Sequence, residues 1–208
     1  MDELLDILDE SGRPTGEVVL KSEAHRLGLW HRCFHCWICG SDAAGSYVLL
    51  QRRAATKDTW PDYLDVTAAG HLAAGEKVLD GLREVEEELG LRVEPERIVP
   101  LGTRRVEQEI PAGCDREFHE VFLVFDATPP EDLCLQREEV SAVFRLGLGD
   151  VQALYETGSA PACEYADGRA SATRIHLTEF VPEEEGYLNR VAVASRQLLS
   201  GAPPDPIF

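Results

Sequence analysis

Residues 70–91, GHLAAGEKVLDGLREVEEELGL, join a glycine-bearing loop to an acidic amphipathic helix. Val78, Leu82, Val85 and Leu89 recur at helical spacing and predict one apolar stripe on a helix over 78–89. Glu84 and Glu88 are one turn apart and stack on one face, and Glu87 lies beside them. Three carboxylates so close repel one another unless a cation sits among them. Hard oxygen ligands on a rigid element suit Mg²⁺ or Mn²⁺. Arg83 is placed to pair with Glu87 or with a carboxylate of the preceding loop, and Gly90 is a good helix stop. Gly70 and Gly75 let the loop backbone approach a metal or a phosphate closely. The competing reading is a solvated acidic face, common in a chain with 38 acidic residues.

Upstream of this segment, ELLDIL (3–8) and GEVVL (16–20) flank the turn formers DESGRPTG and predict an N-terminal hairpin, followed by a short helix within 21–30. Strands are expected at 33–39 and 47–51 around the turn GSDAAGS, and at 64–68 after the loop AATKDTWPDY. Downstream, strands are expected at 98–108, 117–126, 140–145 and 175–180, with helices over 150–156 and 183–199. The small, polar stretch 159–173 reads as a mobile loop, and the proline-rich tail after 200 cannot be helical. With no repeat and no linker, residues 1–208 form one domain: an α/β/α sandwich with a mixed sheet, an N-terminal hairpin extension (1–30) and a C-terminal helix (183–199).

Twenty basic against 38 acidic residues give a net charge of −18. Such a surface repels a phosphate backbone and argues against nucleic-acid binding. A small phosphorylated ligand remains compatible where a divalent cation and a few local cations reverse the field. No run approaches the ~18 apolar residues of a membrane helix, and the acidic start MDELLDILDE is unlike a signal peptide, so a cytoplasmic location is expected. Cys33, Cys36 and Cys39 have metal-like spacing but fall on a strand, where Cys36 points away from the other two; buried thiols are expected, without disulfides. Among soluble assemblies a homodimer is the commonest.

The 70–91 segment resembles the Nudix box: G, five residues, E, seven residues, R-E, an aliphatic, any residue, E-E, any residue, G, an aliphatic. Gly70 and Glu76 match its start, and Arg83, Glu84, Val85, Glu87, Glu88, Gly90 and Leu91 its end, but only six residues separate Glu76 from Arg83. The deficit falls at the loop–helix junction, so the glutamate face is expected to survive, while the short spacing leaves open whether Glu76 keeps the family role of supporting the arginine and the metal shell. The order HRCFHCWIC, VLLQRR, KDTWPDYLDVTAAGH, box, DREFHEVFLVF, EEVSAVFRL extends the resemblance over about residues 30–157. The N-terminal DESGRPTGEVVLKSEAH leading to WHRCFH is similar to the subgroup related to isopentenyl diphosphate isomerase. The resemblance implies an α/β/α sandwich and metal-dependent hydrolysis of a diphosphate, with Gly70, Glu84, Glu87 and Glu88 around the metal.

For that reaction the candidate general bases are Glu120, Glu87 and Glu88, and Arg52, Arg53 and Lys57 are candidate phosphate ligands, one of the adjacent arginines facing the site. An isomerase is the alternative. His25, His31 and His71 fall where the isomerase pattern places its metal histidines, but Thr67, Ala68 and Ala69 occupy the place of its cysteine, and no carboxylate stands two residues before Glu120. A third reading is a non-catalytic nucleotide-binding module. Specificity is expected from the loops 54–62, 110–116 and 159–173, with Trp30, Trp60, Tyr63 and Phe118 available to stack on a base.

Overall fold

The computed structural model describes residues 2–183 and 186–208. Strands β1 (Leu4–Leu8) and β2 (Pro14–Leu20) form the expected hairpin, and α1 (Lys21–Leu27) follows. The central strand β3 (Trp30–Asp42) turns through Ala43 and Ala44 into β4 (Gly45–Arg53), so both strands run longer than the sequence suggested. The expected strand at 64–68 is two short ones, β5 (Leu64–Asp65) and β6 (Ala68–His71). After α2 (Leu82–Leu89) come β7 (Val99–Ile110), β8 (Gly113–Phe125), β9 (Val140–Gly147) and α3 (Asp150–Thr157). Last are β10 (Ser159–Ala166), β11 (Arg169–His176) and α4 (Tyr187–Leu199). The acidic opening expected for the last helix includes Glu184 and Glu185, which lie outside the described residues.

Among the described residues all eleven strands join in one mixed sheet, in which β3 pairs parallel with β8 and antiparallel with β4 and β6. Alternation along β3 builds the layers. Phe34, Cys36 and Ile38 pack with Val85 and Leu89 of α2, while Trp37 and Cys39 share the opposite core with Val151 and Leu154 of α3 and Leu188 and Val191 of α4. The result is an α/β/α sandwich, with the three strand cysteines free and divided between its faces. Among the described residues no helix is long and apolar enough to cross a membrane.

Two expectations are corrected. Residues 159–173 form most of the β10–β11 hairpin, paired from Ser159↔His176 to Ala166↔Arg169. Its turn is Asp167-Gly168, with φ of +51° and +68°, the two-residue geometry that Asp-Gly favours. Residues 175–180 only finish β11 and then enter a 3₁₀ turn at Leu177–Glu179.

The expected helix over 78–89 is likewise divided, into a 3₁₀ turn (Val78–Gly81) and α2. Four residues rising about 2.0 Å each advance roughly as far as five rising about 1.5 Å, which absorbs the one-residue deficit before Arg83. Gly81 permits this turn to sit on the core, because a Cβ there would fall 2.5 Å from Phe34 Cγ, and Phe34 is fully buried. Gly81→Ala is expected to lower stability by about 1–3 kcal/mol in urea unfolding; an unchanged midpoint would show that the turn has room to move.

Candidate active site

The box folds around Arg83. Its Nε and Nη2 donate to the two oxygens of Glu76 at 2.8 and 3.0 Å, Nη2 donates to the His71 carbonyl at 3.0 Å, and Nη1 to Glu84 Oε1 at 2.5 Å. The Glu87 carboxylate lies 3.4 Å away. Glu76 also accepts from the Ala73 amide at 2.7 Å. Despite the short spacing Glu76 braces the arginine with both oxygens, and its carboxyl is held below its ordinary range by the Arg83 hydrogen bonds.

Gly70 is a glycine because a Cβ there would lie 2.0 Å from Glu84 Oε1. Burial pushes the Glu84 carboxyl up to about 7, against the pull of Arg83. Glu88 is 3% exposed and accepts only from neutral donors, Gln51 Nε2 and the Ala69 amide, each at 3.2 Å. Burial, then the charge of Glu84, pushes it up to about 8. Two adjacent carboxylates that resist ionisation alone suit a divalent cation. Glu87 is half-exposed beside them.

A cavity of about 610 Å³ opens on the other side of β6, walled by Ala69, Gly70 and His71. At this wall His25 and His71 meet Asp115 and Glu117 of β8, with His31 buried behind. The three imidazoles form a triangle with centroids 5.2 to 5.5 Å apart. Asp115 Oδ1 lies 3.5 Å from Nε2 of both His25 and His31, and Glu117 Oε1 lies 3.5 Å from His31 Nε2 and 3.2 Å from His71 Nε2. The three Nε2 atoms and Asp115 Oδ1 are buried without a hydrogen-bond partner, and they converge as ligands around an ion do. Burial lowers His25 to about 4 and His71 to about 3, keeping both imidazoles neutral, as metal ligands must be; it raises Asp115 to about 7. Cys33, which donates to the Gly70 carbonyl at 3.0 Å, is close enough to share an ion with His71 and Glu117.

The carboxylates of β8 that line the cavity are Asp115 and Glu117. Asp115, Glu117 and His119 occupy alternate positions of β8, a period-two polar stripe that marks one strand face. Glu120 falls on the opposite face, bound by Arg32 Nε at 3.1 Å and the Thr103 hydroxyl at 2.9 Å, and does not line the cavity.

The expected phosphate ligands are also engaged. Arg53 lines the cavity, but its guanidinium pairs with Asp65 at 2.9 Å and donates to the Thr59 carbonyl from Nε and Nη2. Arg52 faces away, pairing with Glu179 and donating to the Asp62 carbonyl. The two arginines grip the loop at Thr59 and Asp62, between which Trp60 and Asp62 adopt left-handed φ of +50° and +66°. Lys57 lines the cavity and is paired with Glu139. Among the described residues Lys21 and Arg104 line the cavity without an ion pair, and neither had been singled out. Trp60 lines the cavity, whereas Trp30 and Phe118 pack on each other elsewhere and the β10–β11 hairpin contributes no lining residue.

The NUDIX domain matches residues 29–163. The chain belongs to the Nudix family. It is 35% identical over 195 residues to an uncharacterized Nudix hydrolase of Clostridium acetobutylicum, covering 89% of this chain and 93% of that one. It is 32% identical over 148 residues to an isopentenyl-diphosphate Delta-isomerase of Photorhabdus laumondii, covering 70% and 80%. Among solved structures, a Deinococcus radiodurans protein superposes with a TM-score of 0.57 at 21% identity (76% of this chain, 91% of that one) and a MutT/nudix family protein of Enterococcus faecalis with 0.52 at 15% (80% and 61%), which bears out the fold. This Nudix protein is accordingly a pyrophosphohydrolase-type enzyme, of a family that generally uses divalent metals.

Between pH 4.5 and 8 the folded state keeps a proton on Glu88 that the unfolded chain has released, so this group's contribution to stability falls as pH rises through that window. In chelator, Glu88→Gln is expected to flatten the decline in Tm between pH 5 and 8 measured by circular dichroism, and Mg²⁺ to restore the unaltered protein at pH 8. An equal decline in both proteins would show that Glu88 is not the group held protonated.

Proposed function

We propose that the chain, read as one domain over residues 1–208, is a cytoplasmic enzyme that hydrolyses the diphosphate linkage of a nucleoside diphosphate derivative or a related small phosphorylated metabolite, with Mg²⁺ or Mn²⁺ as cofactor. The observation that carries this reading is the buried Glu84–Glu88 pair, held against β6 beside the cavity, in which Glu84 pairs with Arg83 and Glu88 accepts from the neutral donors Gln51 and Ala69. Glu84 and Glu88, with Glu87 and the Gly70 carbonyl beside them, hold the cation; His25, His31, His71, Asp115 and Glu117 fit a second. An ion at the cavity wall would neutralise the charge of the diphosphate there, and one held by the helix glutamates, which do not line the cavity, would act across β6. Glu76 and Arg83 keep the helix and β6 in register, so that the ligands are oriented before substrate arrives. Lys21 and Lys57 meet phosphate oxygens from the cavity wall, while Arg53 holds the Trp60 loop in place.

The convergent histidines and carboxylates also favour a second reading, an isomerase acting on an allylic diphosphate. Against it stands Ala69, which brings no thiol to the cavity wall, and burial pushes the nearby Cys33 thiol well above its ordinary value. Incubation with isopentenyl diphosphate and Mg²⁺ separates the two: an isomerised product without phosphate release would replace the hydrolase reading.

In a screen of diphosphate compounds with Mg²⁺, Glu88→Gln is expected to lower turnover by roughly 10²-fold or more with the circular dichroism spectrum retained. Glu76→Gln is expected to lower it by about 10–100-fold, because it releases Arg83. Full activity in Glu88→Gln would place the essential ion elsewhere.

A further inference from the structure

We propose that Arg104 and Tyr187 form a second anion subsite in the cavity, one that selects diphosphate substrates carrying a further phosphate monoester. The inference rests on the reading above in taking the diphosphate at the β6 end of the cavity. The pairing register sets the positions. His71 of β6 lies opposite Cys33 of β3, Cys33 opposite His119 of β8, and His119 opposite Arg104 of β7. All four residues line the cavity, so they form one row across its floor. Three strand steps of about 4.8 Å put the backbone of Arg104 roughly 14 Å from that of His71. Arg104 therefore meets a different part of the ligand from the part at the histidine and carboxylate cluster.

The state of Arg104 distinguishes it from the other arginine in the cavity. Arg53 spends its donors on Asp65 and Thr59. Among the described residues Arg104 makes no ion pair and no side-chain hydrogen bond; its guanidinium lies over the Tyr187 ring, 4.8 Å from the centroid. Glu183, also in the cavity wall, is held by the Tyr155 hydroxyl and by the Leu188 amide at 3.2 Å. Tyr187 is itself fixed: it is buried, its hydroxyl shares a hydrogen bond with His35 Nδ1 at 3.3 Å, and Phe208 packs edge-on against its ring. A guanidinium lying over a buried, hydrogen-bonded ring keeps its N–H groups for a phosphate. In a chain of net charge −18, an arginine in a cavity wall whose neighbouring carboxylate, Glu183, is already held by Tyr155 and Leu188 is placed to receive an anion.

NADH and NADPH share a dinucleotide diphosphate and differ by one phosphate, so their relative affinity reads the subsite directly. Binding is followed by the fluorescence of each dinucleotide without added metal. The unaltered protein is expected to bind NADPH about tenfold more tightly. Arg104→Met is expected to bring the ratio close to one, Arg104→Lys to retain part of it, and Arg105→Met, on the other face of β7, to preserve it. No preference for NADPH in the unaltered protein, or the same preference in Arg104→Met with a native circular dichroism spectrum, overturns the proposal. Turnover of the two dinucleotides with Mg²⁺ is measured alongside. A preference that depends on Arg104 without hydrolysis of either compound removes the hydrolase reading and leaves the subsite standing.

Discussion

Arg83 is the tie on which the geometry of the site depends. One guanidinium spans three parts of the chain: Glu76 in the loop, the His71 carbonyl on β6, and Glu84 on the helix that carries Arg83 itself. An exposed ion pair contributes at most about 1 kcal/mol, but this one is part-buried, forked, and completed by a backbone carbonyl, so it sets a distance as well as a charge. With Arg83 in place, Glu84 must lie against Gly70, where no side chain fits. The box is thus a set of mutual exclusions: the arginine, the two carboxylates bracing it, and the glycine each make sense only with the others present.

A strand that separates two ligand sets follows from the same local rule. Along β6 the odd positions Ala69 and His71 face the cavity, while Gly70 turns its bare side to Glu84. The helix carboxylates and the cavity cluster are therefore neighbours on opposite sides of one short strand, each rich in buried titratable groups. Burial raises Glu84, Glu88 and Asp115 and lowers His25 and His71. Burial is the largest cause of these shifts, whereas the neighbouring carboxylates raise His31 and the surrounding histidines hold Glu117 well below its ordinary range.

Much of this was legible in residue order, and the failures have identifiable causes. The apolar stripe Val78, Leu82, Val85, Leu89 located the helix but could not show that its first turn is 3₁₀, because both helices place residues three or four apart on one side. That turn is what brings Glu76 back to Arg83 despite the short spacing. The β10–β11 hairpin was hidden by its small residues, although Asp167-Gly168 carried a turn signal. Glu120 stood among the candidates and Glu117 did not, because a linear motif does not give the face of a strand. The alternation Asp115, Glu117, His119 does, once β8 is known to begin at Gly113. The pairing of Arg53 with Asp65 and of Arg52 with Glu179 depends on contacts between segments distant in the chain or its layers, which spacing alone does not encode.

The overall charge explains why so many cations near the cavity are already paired. At −18, an unpaired lysine or arginine on this chain finds a carboxylate nearby almost by default, and Arg52, Arg53 and Lys57 have each done so. Their value to an anionic ligand is reduced accordingly, since binding it means competing with Glu179, Asp65 or Glu139. An anion entering this cavity therefore finds few cations free of a carboxylate, Lys21 and Arg104 among the described residues. Lys21 stands at the cluster end and Arg104 across the sheet from it, so a ligand that reaches both must be longer than a diphosphate alone.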